Sequence, residues 1–213
     1  MEYGPKQLQI ISVAEALFAK KGFEGASIRD IAQEAKINIS MISYYFGSKE
    51  KLIEALFDVR MVETQSTLMS ILQNSELNAL QKVSIWIDGI VERLMRSQNF
   101  HSIMMREQLS AQRSLAISEH IMNLKMKNIE LMRQMLDMGY REGIFKEEHD
   151  LSLILTTVYG TVNQAIANKA FYKKINQLDH LTEEEYIEMM IMKLKVHLKN
   201  IFINTVSNET SND

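Results

Sequence analysis

Residues 27–52 read SIRDIAQEAKINISMISYYFGSKEKL. Ser27, with Asp30 three positions later, is a capping-box-like start for a short helix that carries Ile28, Ile31, Ala32 and Ala35 inward. The pattern breaks at Lys36, where a glycine would be expected, and Asn38 then has the side-chain oxygen needed to cap another helix over 39–46. In that helix Ile42 and Phe46, four apart, take the core side and leave Ser40, Ser43 and Tyr44 facing out. Gly47 ends it, and Ser48 opens the next. The order is helix, tight turn, helix, followed by an unusual crowding of Tyr44, Tyr45 and Lys49, which a purely structural helix would not need.

Outward from this segment the chain stays helical. A first helix is expected over 6–21, with Leu8, Ile11, Ala14, Leu17 and Phe18 on one stripe and Gly22 taking a left-handed conformation at its end. Beyond the fourth helix, periodicity predicts longer helices over 77–98, 100–109, 115–141, 151–172 and 183–206, about nine in all. Asp150 and Thr182 serve as caps, and Thr182 with Glu185 completes a capping box. One proline and 8 glycines in 213 residues fit this all-α reading. The expected division is a helix-turn-helix domain over 1–50, a larger helical domain over 51–206, and a polar tail over 207–213.

Composition removes several function classes. With no cysteine there is no disulfide, thiolate nucleophile or cysteine-held metal. The histidines, His101, His120, His149, His180 and His197, never fall at metal-ligand spacing, so neither a metal nor another cofactor is expected. A helical hydrolase is the competing class, but the chain has no Gly-x-Ser-x-Gly elbow, phosphate-cradling glycine loop or His-Glu-x-x-His pair. No stretch approaches the roughly 18 uncharged apolar residues of a membrane span, and the first residues lack the marks of a signal peptide, so a cytoplasmic location without membrane association is expected. Net charge is −3, whereas residues 1–51 alone come to about +1. Bulk electrostatics do not select a partner; the local pattern must.

Two short helices joined by a tight turn form a helix-turn-helix, whose second helix enters the DNA major groove. Tyrosine hydroxyls and a lysine ammonium suit phosphate oxygens, and small outward residues suit base edges. The same pattern also fits a small helical subdomain whose aromatic residues are only core. Residues 8–57 resemble the DNA-binding domain of the TetR (tetracycline repressor) family of bacterial regulators. The resemblance is carried by Gly22-Phe23, Ile31-Ala32, Ala35, Ile37, Tyr45-Phe46, Ser48-Lys49-Glu50 and Leu52. It implies Ser27 and Arg29 at the phosphates or groove, Ile39, Ser40, Met41, Ser43 and Tyr44 as the reading face, and Tyr45 and Lys49 on phosphate. Ile39 and Met41 suit thymine methyls, which leaves Ser40 and Ser43 as polar readers. Two positions depart from the family pattern: Lys36 replaces glycine and must carry a left-handed backbone costing about 1 kcal/mol, and Ser43 replaces a common tyrosine.

The resemblance further implies a homodimer that binds a palindromic double-stranded operator, most often as a repressor, and responds to a small-molecule effector. The last two long helices would pack against those of a second copy. Gly160, Ala167 and Ala170 would allow close approach there, and Tyr186, Met190, Leu194, Ile201 and Phe202 would form the apolar stripe. Effector-lining candidates are Trp86, Tyr159, Asn163 and Gln164, which could orient a ligand, together with Met104 and Met126 from a methionine-rich middle region.

Overall fold

A computed structural model describes residues 3–109, 115–146 and 150–207. Among these residues there are ten helices: α1 (Pro5–Gly25), α2 (Ile28–Glu34), α3 (Ile39–Phe46), α4 (Lys49–Gln73), α5 (Ala79–Arg96), α6 (Gln98–Leu109), α7 (Leu115–Arg141), α8 (Leu151–Ala167), α9 (Lys169–Ile175) and α10 (Glu183–Val206). The chain divides into two compact units, one of residues 1–66 with 98–129 and the other of residues 67–97 with 130–213. The first unit therefore extends well beyond residue 50. His149 and the tail from 208 lie outside the described residues.

In the first unit each helix end is set by local chemistry. Gly22, at φ 76°, supplies the left-handed turn near the end of α1. The Ser27 hydroxyl accepts the Asp30 amide at 3.1 Å, and the Asp30 carboxylate accepts the Ser27 amide at 3.0 Å, a closed capping box for α2. Asn38 caps α3 by accepting the Ser40 amide at 2.9 Å, and Ser48 accepts the Lys51 amide at 3.2 Å at the start of α4. Apolar stripes from these helices meet in one core of Ile10, Ile11, Phe18, Ile31, Ile42, Phe46, Leu52, Ile53 and Phe57. Ile103 and Met104 of α6 and Ile121 of α7 complete it, and Phe57 meets Phe100 edge-on at 5.5 Å. A buried Glu15 on α1 receives the Arg60 guanidinium of α4 at 2.6 Å.

The second unit is built on α5. Its α10-facing side runs antiparallel to that helix along a ladder of ion pairs: Asp88 with Lys199 at 3.0 Å, Glu92 with Lys195 at 3.1 Å, and Arg96 with Glu188 and Glu184. Between the rungs Ile87, Val91 and Met95 are buried, as are Tyr186, Met190, Leu194, Leu198 and Phe202 of α10. Lys82 is buried too, with its ammonium donating to the Leu72 carbonyl in the last turn of α4 at 2.7 Å, where the helix dipole favours a cation. Gly139 has no room for a side chain, because a Cβ there would stand 2.0 Å from the buried Phe145 ring. The helix expected over 151–172 is interrupted at Asn168, whose ψ of 18° separates α8 from α9 without any proline or glycine to signal it.

Candidate nucleic-acid interface and helical ligand domain

The turn between α2 and α3 depends on Lys36, which adopts φ 53° in the left-handed region, the backbone expected there despite the missing glycine. Its amide bonds the Gln33 carbonyl at 3.1 Å, and the Ile37 amide reaches back to the Ala32 carbonyl at 3.0 Å. The turn fixes which side of α3 is open. Ile42 and Phe46 are buried, whereas Ile39, Ser40, Ser43 and Tyr44 are exposed and Met41 is half-buried; Tyr44, at 84% accessibility, is the most open of them. Ser27 and Arg29 are exposed at the start of α2, and Tyr45 is half-buried against the core and edge-on to Tyr44 at 5.3 Å.

Two placements change the sequence reading. The Ser40 hydroxyl donates to the Asn38 side chain at 2.9 Å, so toward a base edge it offers lone pairs. Lys49 is largely enclosed: its ammonium donates to the Phe23 carbonyl at 2.9 Å and lies 4.3 Å from the centre of the Phe23 ring. It ties the end of α1 to the start of α4, a structural duty invisible in the sequence because the partners are 26 residues apart. Gln33, exposed one turn beyond Arg29, belongs to the same side of α2 and was not singled out by the sequence; its spacing from Arg29 was the available signal. Asp30 is held below the ordinary carboxylate range by the Ser27 amide and hydroxyl, with Lys21 adding to the effect.

The effector candidates are divided between the two units. Met104 is a core residue of the first unit, and Met126, on the first-unit part of α7, is 53% exposed. Trp86, Tyr159, Asn163 and Gln164 all belong to the second unit. Trp86 is 6% exposed, with an indole N–H that has no hydrogen-bond partner among the described residues; Asn163 is partly buried and Gln164 exposed. The sequence reading missed Arg93, which hydrogen-bonds the Tyr159 hydroxyl. Desolvation by burial raises the Tyr159 pKa, against the lowering effect of Arg93, and the side chain remains a neutral phenol.

The candidate dimer residues separate into two groups. Gly160 and Ala167 are exposed on α8, and nothing lies within 4 Å of a Cβ placed on Gly160. Tyr186, Met190 and Leu194, by contrast, are 1%, 3% and 5% exposed within the single chain, and Ile201 is half-buried. The apolar stripe of α10 is thus used up by its own unit, since α5 offers the matching apolar face. On the last three helices the exposed large apolar residues are Leu153 on α8, Phe171 and Ile175 on α9, and Met192 and Val196 on α10. Among the described residues no three acidic or histidine side chains are grouped to hold a metal ion, and no helix is long and apolar enough to cross a membrane.

Two open short helices across a tight turn, joined to a helical domain with desolvated polar groups, define a helix-turn-helix regulator as the class. The family described as bacterial regulatory proteins of the tetR family matches residues 10–56, and the tetracycline repressor-like C-terminal domain matches residues 80–192. The chain belongs to the TetR family of transcriptional regulators. It is 28% identical over 143 residues to the transcriptional repressor NicS of Pseudomonas putida, a match spanning 65% of each chain. The structure of the regulator FadR from Bacillus subtilis in complex with stearoyl-CoA superposes with a TM-score of 0.68 at 19% identity, over 92% of this chain and 97% of that one. A regulator from Saccharomonospora viridis in complex with choline superposes at 0.75 and 13% identity, over 95% and 98%.

Proposed function

We propose that this protein is a homodimeric, ligand-responsive repressor that binds a palindromic operator in the cytoplasm, with residues 1–50 reading DNA and 51–206 holding the effector and the second copy. The observation that supports it best is the open face of α3, where Ile39, Ser40, Ser43 and Tyr44 stand clear of a helix whose other side is core. Ser40, Met41 and Ser43 discriminate bases beside Ile39, while Ser27, Arg29, Tyr44 and Tyr45 hold the backbone and Lys49, assigned to phosphate by the sequence, braces the end of α1 instead. Reading two half-sites requires recognition helices about 34 Å apart, a spacing that a dimer sets. The uncovered apolar residues of α8, α9 and α10, together with Gly160 and Ala167, supply its face. The effector lies among Trp86, Tyr159, Asn163 and Gln164. Acyl thioesters are the first class to screen, in view of the stearoyl-CoA bound by FadR, although the neighbour with choline shows that this fold alone fixes no ligand charge.

The test is to select duplexes from a random pool and titrate wild type and Tyr45→Phe against the winner and a scrambled duplex at several salt concentrations. Preference for the winner, with a salt slope that Tyr45→Phe leaves intact while affinity falls evenly on both duplexes, supports the reading. Equal affinity of wild type for both duplexes would overturn it.

A further inference from the structure

The hydrogen bond from Lys49 to Phe23 joins the chain just before α2 to the first residue of α4, just after α3, so one side chain closes the ends of the helix-turn-helix into a ring. Both ends of that bond are held. Gly22, at φ 76°, breaks the regular backbone of α1, and the Phe23 ring then folds back to lie 5.5 Å from the ring of Phe18 in the core. Carbonyls in the last turn of a helix lack partners within it, and the Lys49 ammonium meets that of Phe23 at 2.9 Å. The same ammonium lies 4.3 Å from the centre of the Phe23 ring and 3.9 Å from the Glu24 carboxylate, and the Lys49 side chain is 19% exposed.

Glu24, Gly25 and Ala26 alone separate Phe23 from the Ser27 cap of α2, and Ala26 is buried. So short a connector leaves little slack, and a bond that holds Phe23 also holds the start of α2, where Ser27 and Arg29 are exposed. A second tie crosses the same connector, Lys21 with Asp30 at 3.3 Å, but its side chains are 41% and 35% exposed. Water and salt screen a pair that open. The Lys49 contacts are largely enclosed and combine a hydrogen bond with a ring face, which makes them the firmer tie.

We infer that Lys49 is a positioning residue for DNA binding: by clasping Phe23 it closes residues 23–49 into one unit and fixes Ser27 and Arg29 relative to the exposed side of α3. The inference rests on the placement of Ser27 and Arg29 at the DNA backbone proposed above. A lysine that neutralises a phosphate releases counterions, whereas one that acts through Phe23 releases none, so the salt dependence of binding separates the two roles.

Lys49→Met keeps an apolar stem over the ring and removes the ammonium. The selected duplex is titrated at several salt concentrations with wild type, Lys49→Met, Lys49→Arg, Arg29→Ala and the variant carrying both Lys49→Met and Arg29→Ala, each below its own melting temperature. Lys49→Met should weaken binding at least about 10-fold with an unchanged salt slope, and Lys49→Arg should recover most of the loss, because a guanidinium can also donate to a carbonyl and lie on a ring. Arg29→Ala should weaken binding and reduce the slope by about one, and the double variant should fall no more than about 3-fold below Arg29→Ala alone, since a misplaced Arg29 has little left to lose. A slope reduced by about one in Lys49→Met, an affinity equal to wild type, or losses that multiply in the double variant overturns the inference and leaves the DNA-binding reading in place. If Lys49→Met fails to fold, Phe23→Leu, which removes the ring and leaves the ammonium, enters the same cycle: weakened binding that does not multiply with Arg29→Ala supports the inference, and wild-type affinity or multiplying losses overturns it. Full affinity in Arg29→Ala, or a wild type with no preference for the selected duplex, removes the DNA contact itself and the inference with it, and is recognised because it needs no substitution at Lys49.

Discussion

The two units build their polar contacts over different ranges. In the first, the face proposed to meet DNA is set by caps no more than three residues long, Ser27 with Asp30, Asn38 with Ser40 and Ser48 with Lys51, and by positive φ at Lys36 and Gly47. In the second, the defining bonds join residues far apart: Lys199 reaches Asp88 across 111 positions, Lys195 reaches Glu92 across 103, and Glu142 caps α5 by accepting the Ala79 amide across 63. A cap recurs as a spacing that can be read along the chain, whereas a rung between distant helices exists only once they pack. The first unit has long-range bonds as well, Glu15 with Arg60 and Lys49 with Phe23, but they tie α1 to α4 and leave the caps of α2 and α3 local.

Substitutions on α10 test this contrast most severely. Leu194→Glu places a carboxylate in the packed α5 and α10 seam and should cost about 4 kcal/mol or more, so that urea unfolding shows loss of the second unit and no clean folded monomer. Val196→Glu, two residues on and 60% exposed, should change stability by no more than about 0.5 kcal/mol while shifting sedimentation toward monomer. A stable, dimeric Leu194→Glu protein would show that the stripe does not belong to its own core.

Adding and removing a Cβ sharpens the comparison further. Gly139→Ala in the second unit drives a methyl into the Phe145 ring and should destabilise by about 2 kcal/mol in chemical denaturation, with Phe145→Leu in the same chain restoring part of it. Lys36→Gly in the first unit relieves a left-handed residue and should stabilise by a fraction of about 1 kcal/mol while slightly weakening DNA binding through loss of a charge. A Lys36→Gly melt shifted downward would mean that the lysine side chain itself supports the turn.

Acid titration of the two capping boxes closed by a carboxylate gives the smallest effect. The Asp30 pKa is lowered from 3.8 by Ser27, and that of Glu185 from 4.5 by Thr182, so each box contributes stability above the ordinary value and loses it as pH falls through that value and then through the lowered one. Ser27→Ala should therefore lower the melting temperature by a constant amount near neutral pH, and the difference should shrink below about pH 4. A difference that persists unchanged at pH 2 would assign the loss to the hydroxyl alone.

The fold and the exposed side of α3 could be read from residue order because their causes are local. Apolar residues at helical spacing, Ser27 and Asn38 at caps, glycines at 22 and 47, and the requirement that Lys36 turn left-handed all act within one or two turns of chain. Tertiary packing decided what those residues have left to offer. It enclosed the Lys49 ammonium under Phe23, gave Met104 to the first core, and buried Tyr186, Met190 and Leu194 of α10 within their own chain. It also brought Arg93 to Tyr159, a pair separated by 66 positions that no periodicity announces. A helix stripe read from sequence states that one side will be buried, but its partner depends on which other stripe fits it in space. Burial and charge pairing across distant helices are set by that fit, and by it alone.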